Sequence, residues 1–330
     1  MSRTRALPFV LDVLDQGFWL YRRHLRSFAL VAATLLTALA IGAMALSALI
    51  RASLGNSDVW LLFTWFLALL LGYPLLLYAF AALSRAADAA LSGRPIRLRE
   101  SLRLAPGRAC RMVLFNSVFA IITGIAAGAI GVAFACPLIF GLGMAGAIFS
   151  AFLLDSSSAA FLAMFGIFGQ ISTLWSMWIA GAWLAGLIFA LQPFAIEAQN
   201  FRMALQRMTG LLDAQIGRTL LMFASAGAIF GTLAVIYTGS LIMLLLLIAD
   251  NVELNLPATA GDAIAIVVIV GSLVLLLPPL AIWMTIFHRR LIQERDGVEL
   301  AAWIDAWRAA AQAASIGNRA QNPYERLTTR

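Results

Sequence analysis

The stretch DAIAIVVIVGSLVLLLPPLAIWMTIFH, residues 262–288, decides what kind of molecule this is. Between Asp262 and His288 it has no charged side chain, and Ser272 and Thr285 are its only hydroxyls. About 20 such residues are enough to cross the hydrocarbon core of a bilayer as an α-helix. A helix suits that solvent because it satisfies its backbone polar groups within one segment. Residues 262–288 therefore read as a transmembrane span.

Working outward, the segments 27–50, 59–83, 112–136 and 219–249 repeat the pattern, and 173–196 does so with Gln192 but no charge. That makes six core spans of an all-α, polytopic transmembrane helical bundle. Composition agrees: 62% of the chain is hydrophobic and 12% charged, against about 25% charged in soluble domains. A soluble fold could not cover its surface with so few polar groups. Between 137 and 171 lie two shorter apolar runs, 138–154 and 159–171, split by Asp155 and Ser156 to Ser158. We expect a re-entrant or interfacial hairpin in this insert; two additional short spans, eight in all, are the alternative. The run from Ser27 to Ile50 is about twice the length of a signal-peptide core, so it reads as a retained helix.

Charge sets the orientation. All 23 basic residues are Arg. If 1–26, 84–111, 197–218 and 288–330 share one side, that side holds every Arg but Arg51. The positive-inside rule makes that side, and both termini, cytoplasmic, in the inner membrane of a prokaryote. The net charge of +7 is then explained by topology, and we expect no nucleic-acid partner.

Three of the spans carry proline in a matching context: GYPLLLYAFAALSRA around Pro74, LQPFAIEAQNFRMA around Pro193, and LPPLAIWMTIFHRR around Pro278 and Pro279. An Arg follows each, at Arg85, Arg202 and Arg289. Each of the other spans is preceded by an amphipathic, Arg-containing stretch, at 7–26, 94–111 and 198–218. The expected unit is an amphipathic helix plus a helix pair, occurring three times over about 1–92, 93–197 and 198–290. A cytoplasmic tail over 291–330 completes a single membrane domain. Pro74, Pro193 and Pro278 are candidate kinks, since proline removes a helix hydrogen bond. They frame a cavity or merely shape packing.

In the first stretch Leu7, Val10, Leu11, Leu14, Phe18, Tyr21 and Leu25 recur at helical spacing. Such a helix suits the headgroup layer or packs on its own bundle. Candidate contacts to headgroups or a partner are Arg22, Arg23, Arg26, Arg97, Arg103, Arg111 and Arg207. In the tail, Leu300, Trp303, Ile304, Trp307 and Ala311 form a second stripe, and 316–330 is expected to lack structure.

Chemistry is sparse. The six spans hold no Asp, Glu, Lys, Arg or His near their centres, which disfavours ion-coupled transport through carboxylates. Asn116, Gln170 and Gln192 are the polar groups that remain, with Ser and Thr. His24 and His288 read as boundary residues beside arginines. Cys110 and Cys136 lie about 39 Å apart if one continuous helix carries both, too far for a disulfide. Gly124 with Gly128, and Gly227 with Gly231, form two GxxxG pairs, read first as packing within the chain. No catalytic motif is present, and we expect no enzyme activity, metal or cofactor.

The opening, with Leu14-Asp15 and Tyr21-Arg22-Arg23, resembles a bacterial membrane family. That family includes the membrane domain found with glycerophosphoryl diester phosphodiesterases. Pro193, Glu197, Ala204 and Leu205 resemble its Pro–Glu–Ala–Leu-type stretch. The resemblance implies a six-span inner-membrane protein connected with envelope or lipid homeostasis. It does not carry the phosphodiesterase activity, because the catalytic domain is missing. We expect a non-enzymatic accessory or scaffold protein whose partners are membrane lipids and, through its amphipathic helices or tail, a protein. The alternative is a transporter or permease subunit for a lipid or hydrophobic solute.

Overall fold

A computed structural model describes residues 6–54, 58–152, 157–197, 200–252 and 258–320. Among these the regular elements are all helices: α1 (Ala6–Arg23), α2 (Leu25–Leu54), α3 (Asp58–Leu91), α4 (Leu98–Leu102), α5 (Pro106–Phe152), α6 (Ser157–Ala195), α7 (Phe201–Val252) and α8 (Ala258–Ala320). Six of them are long and apolar enough to cross a membrane, over Leu25–Ile50, Leu70–Leu91, Pro106–Val132, Gln170–Ala195, Gln215–Leu241 and Val267–Gly297. These ranges overlap the six segments read from hydropathy.

The chain divides into two compact units, Met1–Ile286 and Phe287–Arg330. The second is the C-terminal part of α8, on which Leu300, Trp303 and Trp307 are exposed. Helix continues to Ala320, past the point where an unstructured tail was expected to begin; 321–330 lie outside the described residues.

Within the first unit, the spans sort into an inner and an outer set. The most apolar stretches of the α3, α6 and α8 spans are 50%, 44% and 56% buried, against 22%, 17% and 33% for α2, α5 and α7. The helices that carry Pro74, Pro193 and Pro278 are thus the inner ones. Phe80 and Leu83, Leu187 and Phe189, and Leu280 and Trp283 supply their buried faces. Pro193, Pro278 and Pro279 are buried, whereas Pro74 is exposed. Both α3 and α8 continue through their prolines, and α6 ends two residues after Pro193. In α7 the backbone leaves helical dihedrals at Gln215 (φ −147°, ψ 41°), dividing it into a short first segment and a candidate span.

The segment 137–171 is not a separate element. Its two apolar runs prolong α5 and α6, since α5 runs on past Pro137 to Phe152 and α6 begins at Ser157. The expected re-entrant hairpin gives way to one long helical pair. Of the four residues read as splitting it, Asp155 and Ser156 lie outside the described residues. Cys110 and Cys136 both sit on the continuous α5, which keeps them apart as expected.

The two GxxxG pairs behave differently. A Cβ on Gly227 would lie 2.3 Å from the Ala182 backbone nitrogen, and one on Gly231 would lie 2.7 Å from Met177 backbone atoms. Both glycines therefore let α7 approach the backbone of α6, as intramolecular packing requires. A Cβ on Gly128 would meet nothing within 4 Å. Gly124 and Gly128 instead line an apolar crevice of about 500 Å³ between α5 and α6.

Helix α1 packs on the bundle through Val10, Val13, Leu14, Gly17 and Leu20. Trp283 Nε1 donates to the Leu14 carbonyl at 3.1 Å, and Phe18 stacks edge-on against the Trp283 ring at 4.9 Å. Three members of the expected stripe, Leu7, Leu11 and Leu25, are exposed. The buried face is rotated away from that stripe because both flanks of the helix are apolar and only one meets the bundle.

Candidate functional site

The site grows from the way α3 ends. Gly93 takes a left-handed φ of +69°, Arg94 N–H bonds to the Ala89 carbonyl at 2.9 Å, and Gly93 N–H bonds to Ala90 at 3.1 Å. This pairing is a Schellman C-cap, and Pro95 follows to stop the helix, as such caps prefer. The chain then turns back into the five-residue α4. Two α3 side chains hold α4 in place: the Tyr78 hydroxyl donates to the Leu102 carbonyl, and the Arg85 guanidinium donates to the carbonyls of Ser101 and Arg103.

Between this turn and the end of α6 lies a polar pocket of about 220 Å³. Its charged lining consists of Arg85, Asp88, Arg94, Arg97 and Glu100, and Ala195 and Ile196 close it from the α6 side. Arg94 pairs with Asp88 at 3.2 Å, with side-chain exposures of 66% and 14%. Arg97 pairs with Glu100 at 3.2 Å, both about two-thirds exposed. The Arg97–Glu100 pair is exposed on both sides and contributes ~0–1 kcal/mol, so a ligand that offers stronger partners can displace it, whereas the Arg94–Asp88 pair is exposed only on its arginine side. Two candidate spans end here, at Leu91 and Ala195.

Of the arginines singled out by sequence, only Arg97 lines the pocket. Arg103 contributes its carbonyl to Arg85 and exposes its side chain. Arg111 donates to Asn200 Oδ1 at 2.8 Å, joining the starts of α5 and α7. Arg207 forms a half-buried ion pair with Glu197 at 3.7 Å. Arg22 and Arg26 are exposed away from the pocket, and Arg23 lies over the Trp19 ring at 5.1 Å. Sequence reasoning missed Asp88, Arg94 and Glu100. It marked Arg85 only by its distance from Pro74. The Ser92-Gly93-Arg94-Pro95 run was the available signal, because a helix cap followed by proline folds flanking charges onto one another.

A second polar cluster sits among the inner helices. Gln192 Nε2 donates to Ser84 Oγ at 3.0 Å and to the Ile188 carbonyl at 3.0 Å. Thr285 Oγ1 lies 3.4 Å from Gln192 Oε1 and gives its proton to the Ala281 carbonyl at 2.8 Å. All three residues are fully buried. One side chain from each proline-bearing helix thus meets at the centre, and the space is filled. Asn116 is also buried and donates to the Leu187 carbonyl at 3.2 Å, while Gln170 is exposed. Among the described residues no group of three or more His, Cys, Asp or Glu is placed to hold a metal.

Together these features define a multi-pass α-helical membrane protein with a polar pocket at the ends of two spans. No family model matches the chain, no curated protein matches it, and no solved structure matches it.

Proposed function

We propose that this is a non-enzymatic accessory or scaffold protein of the prokaryotic cytoplasmic membrane, both termini cytoplasmic, which holds lipid headgroups at its Arg-rich face. The observation that carries the reading is the position of the mixed-charge pocket at the ends of the α3 and α6 spans, where headgroups lie if those spans cross a bilayer. The filled centre at Ser84, Gln192 and Thr285 favours this over a permease, which needs an opening between the proline-bearing helices. Exposed Trp303 and Trp307 on the C-terminal unit suit a protein partner or the membrane surface. The chain is then three units, α1–α2–α3, α4–α5–α6, and the two segments of α7 with α8. The resemblance to the membrane domain of glycerophosphoryl diester phosphodiesterases supports a place in lipid or envelope homeostasis.

The test is native mass spectrometry of the full chain extracted gently from its own membrane. Stoichiometric phospholipid is expected on the wild type and is lost in the double variant Arg94→Ala, Arg97→Ala. A chain that retains no phospholipid, or that carries solute across vesicles, overturns the reading.

A further inference from the structure

The outer face of α1 carries a charge cluster of a different kind from the pocket. Trp19, Arg22, Arg23 and Arg26 follow one another at i, i+3, i+4 and i+7, which brings them onto one side of a helix. All four are exposed, and among the described residues none of the three arginines has a carboxylate partner. We propose that this face binds the headgroup of an anionic membrane phospholipid, its phosphate between Arg22 and Arg26 and its glycerol beside Trp19. The inference rests on the reading that the Arg-rich face meets the bilayer, and it stands apart from the pocket.

Charge, position and rigidity all point to it. Arg22 and Arg26 are a like-charge pair four residues apart, which destabilises a helix until an anion comes between them. The nearest acid on this face, Asp15, lies seven residues before Arg22, about 10 Å along the axis. A phosphate offers guanidiniums paired, charge-assisted hydrogen bonds. A zwitterionic headgroup brings its own cation and leaves the cluster less neutralised. The arginines bracket Leu25, where the α2 span begins, so they stand in the headgroup layer if that span crosses a bilayer. Tryptophan favours the same layer, and Leu30, exposed one turn beyond Arg26, would continue the face along an acyl chain. The opposite side of α1 is fixed to the bundle by the Trp283 bond to the Leu14 carbonyl and the Tyr21 bond to Leu275. Arg23 is held over the Trp19 ring at 5.1 Å. The backbone runs on into α2 through His24, whose N–H bonds to the Leu20 carbonyl at 3.2 Å and whose carbonyl accepts from Phe28 N–H at 3.1 Å. The arginines therefore sit on a firmly seated helix that does not end beside them.

The face is open, so its lipid exchanges with the surrounding bilayer and is read in the membrane. The experiment uses the full chain in vesicles of equal parts phosphatidylglycerol and phosphatidylcholine, with bromine on the acyl chains of one lipid or the other. Bromine quenches the tryptophans it reaches, and subtracting the signal of Trp19→Phe isolates the share of Trp19. That share is expected to report a preference of about fivefold for phosphatidylglycerol, the worth of one arginine at an anionic surface. Arg22→Gln with Arg26→Gln is expected to bring the two lipids to parity. Both positions are exposed, and each single variant, expected to lower the preference, keeps the test valid if the double variant fails to fold. Arg94→Ala with Arg97→Ala is expected to leave the preference unchanged; its loss there would assign it to the pocket and overturn the inference. Equal quenching by the two lipids, or a preference that survives the Arg22 and Arg26 variants, also overturns it and leaves the pocket's lipid to its own test. A Trp19 that neither lipid quenches takes this face off the bilayer, as an acidic protein seated there would, and overturns it as well.

Discussion

The indole of Trp283 fills the notch that Gly17 leaves on α1. A Cβ at Gly17 would stand 2.2 Å from Trp283 Cδ1, and the tryptophan is 1% exposed, so it has nowhere to retreat. Gly17→Ala should therefore lower stability by about 1–3 kcal/mol, the usual cost of overpacking, seen as a drop in Tm in mild detergent. An unchanged Tm would mean that α1 is not seated there.

Gln192→Leu keeps the volume of the side chain and removes its donors to Ser84 and Ile188. Hydrogen bonds between membrane helices contribute about 0.6–2 kcal/mol. A loss of that size is expected, with Ser84→Ala costing less. A double-mutant cycle should give a positive coupling between the two positions; zero coupling would show that the side chains do not act together.

Gly227→Ala should be among the most damaging single changes in the chain, because its Cβ would meet the backbone of α6 and no side-chain rotation relieves that. Gly128→Ala should be nearly silent, since its Cβ enters open space. Comparing Tm and monomer yield for the two variants distinguishes the glycine pair that packs from the pair that does not. Equal losses would contradict the arrangement of α6 and α7.

The Tyr21 hydroxyl donates to the Leu275 carbonyl at 2.9 Å. Burial, and secondarily the nearby Tyr237, push its pKa up from 10.0 to about 12. A raised folded-state value means that the protonated hydroxyl supports the fold. Its contribution is complete below pH 10.0 and is lost as pH rises through about 12. In a phenolate absorbance titration, Tyr21→Phe should remove one tyrosine's share of the signal that appears in that upper range. Ionisation of every tyrosine near pH 10 would refute the assignment.

The spans were legible because a bilayer demands long uncharged runs, and 262–288 and its five counterparts have nothing else to be. Which face of each helix turns inward was not legible. In lipid an apolar residue is content on either side, so Leu7 and Leu11 look like Val10 and Leu14 until the bundle is seen. The same ambiguity hid the fate of 137–171, where apolar runs on both sides of Pro137 gave no sign of whether one helix would carry both. The glycine pairs looked alike, and only the neighbouring backbone told them apart. At the pocket, Arg97 was found by its charge alone. Asp88 and Arg94 were overlooked because a left-handed glycine at position 93 brings them together, and hydropathy is blind to that.

Ser84 and Arg85 are neighbours on α3, and consecutive side chains on a helix diverge by about 100°. One accepts a hydrogen bond from Gln192 at the centre, and the other donates to the carbonyls of Ser101 and Arg103 at the end of α4. The helix is held like a shaft in two bearings set at an angle. Turning it about its own axis would break both sets of contacts.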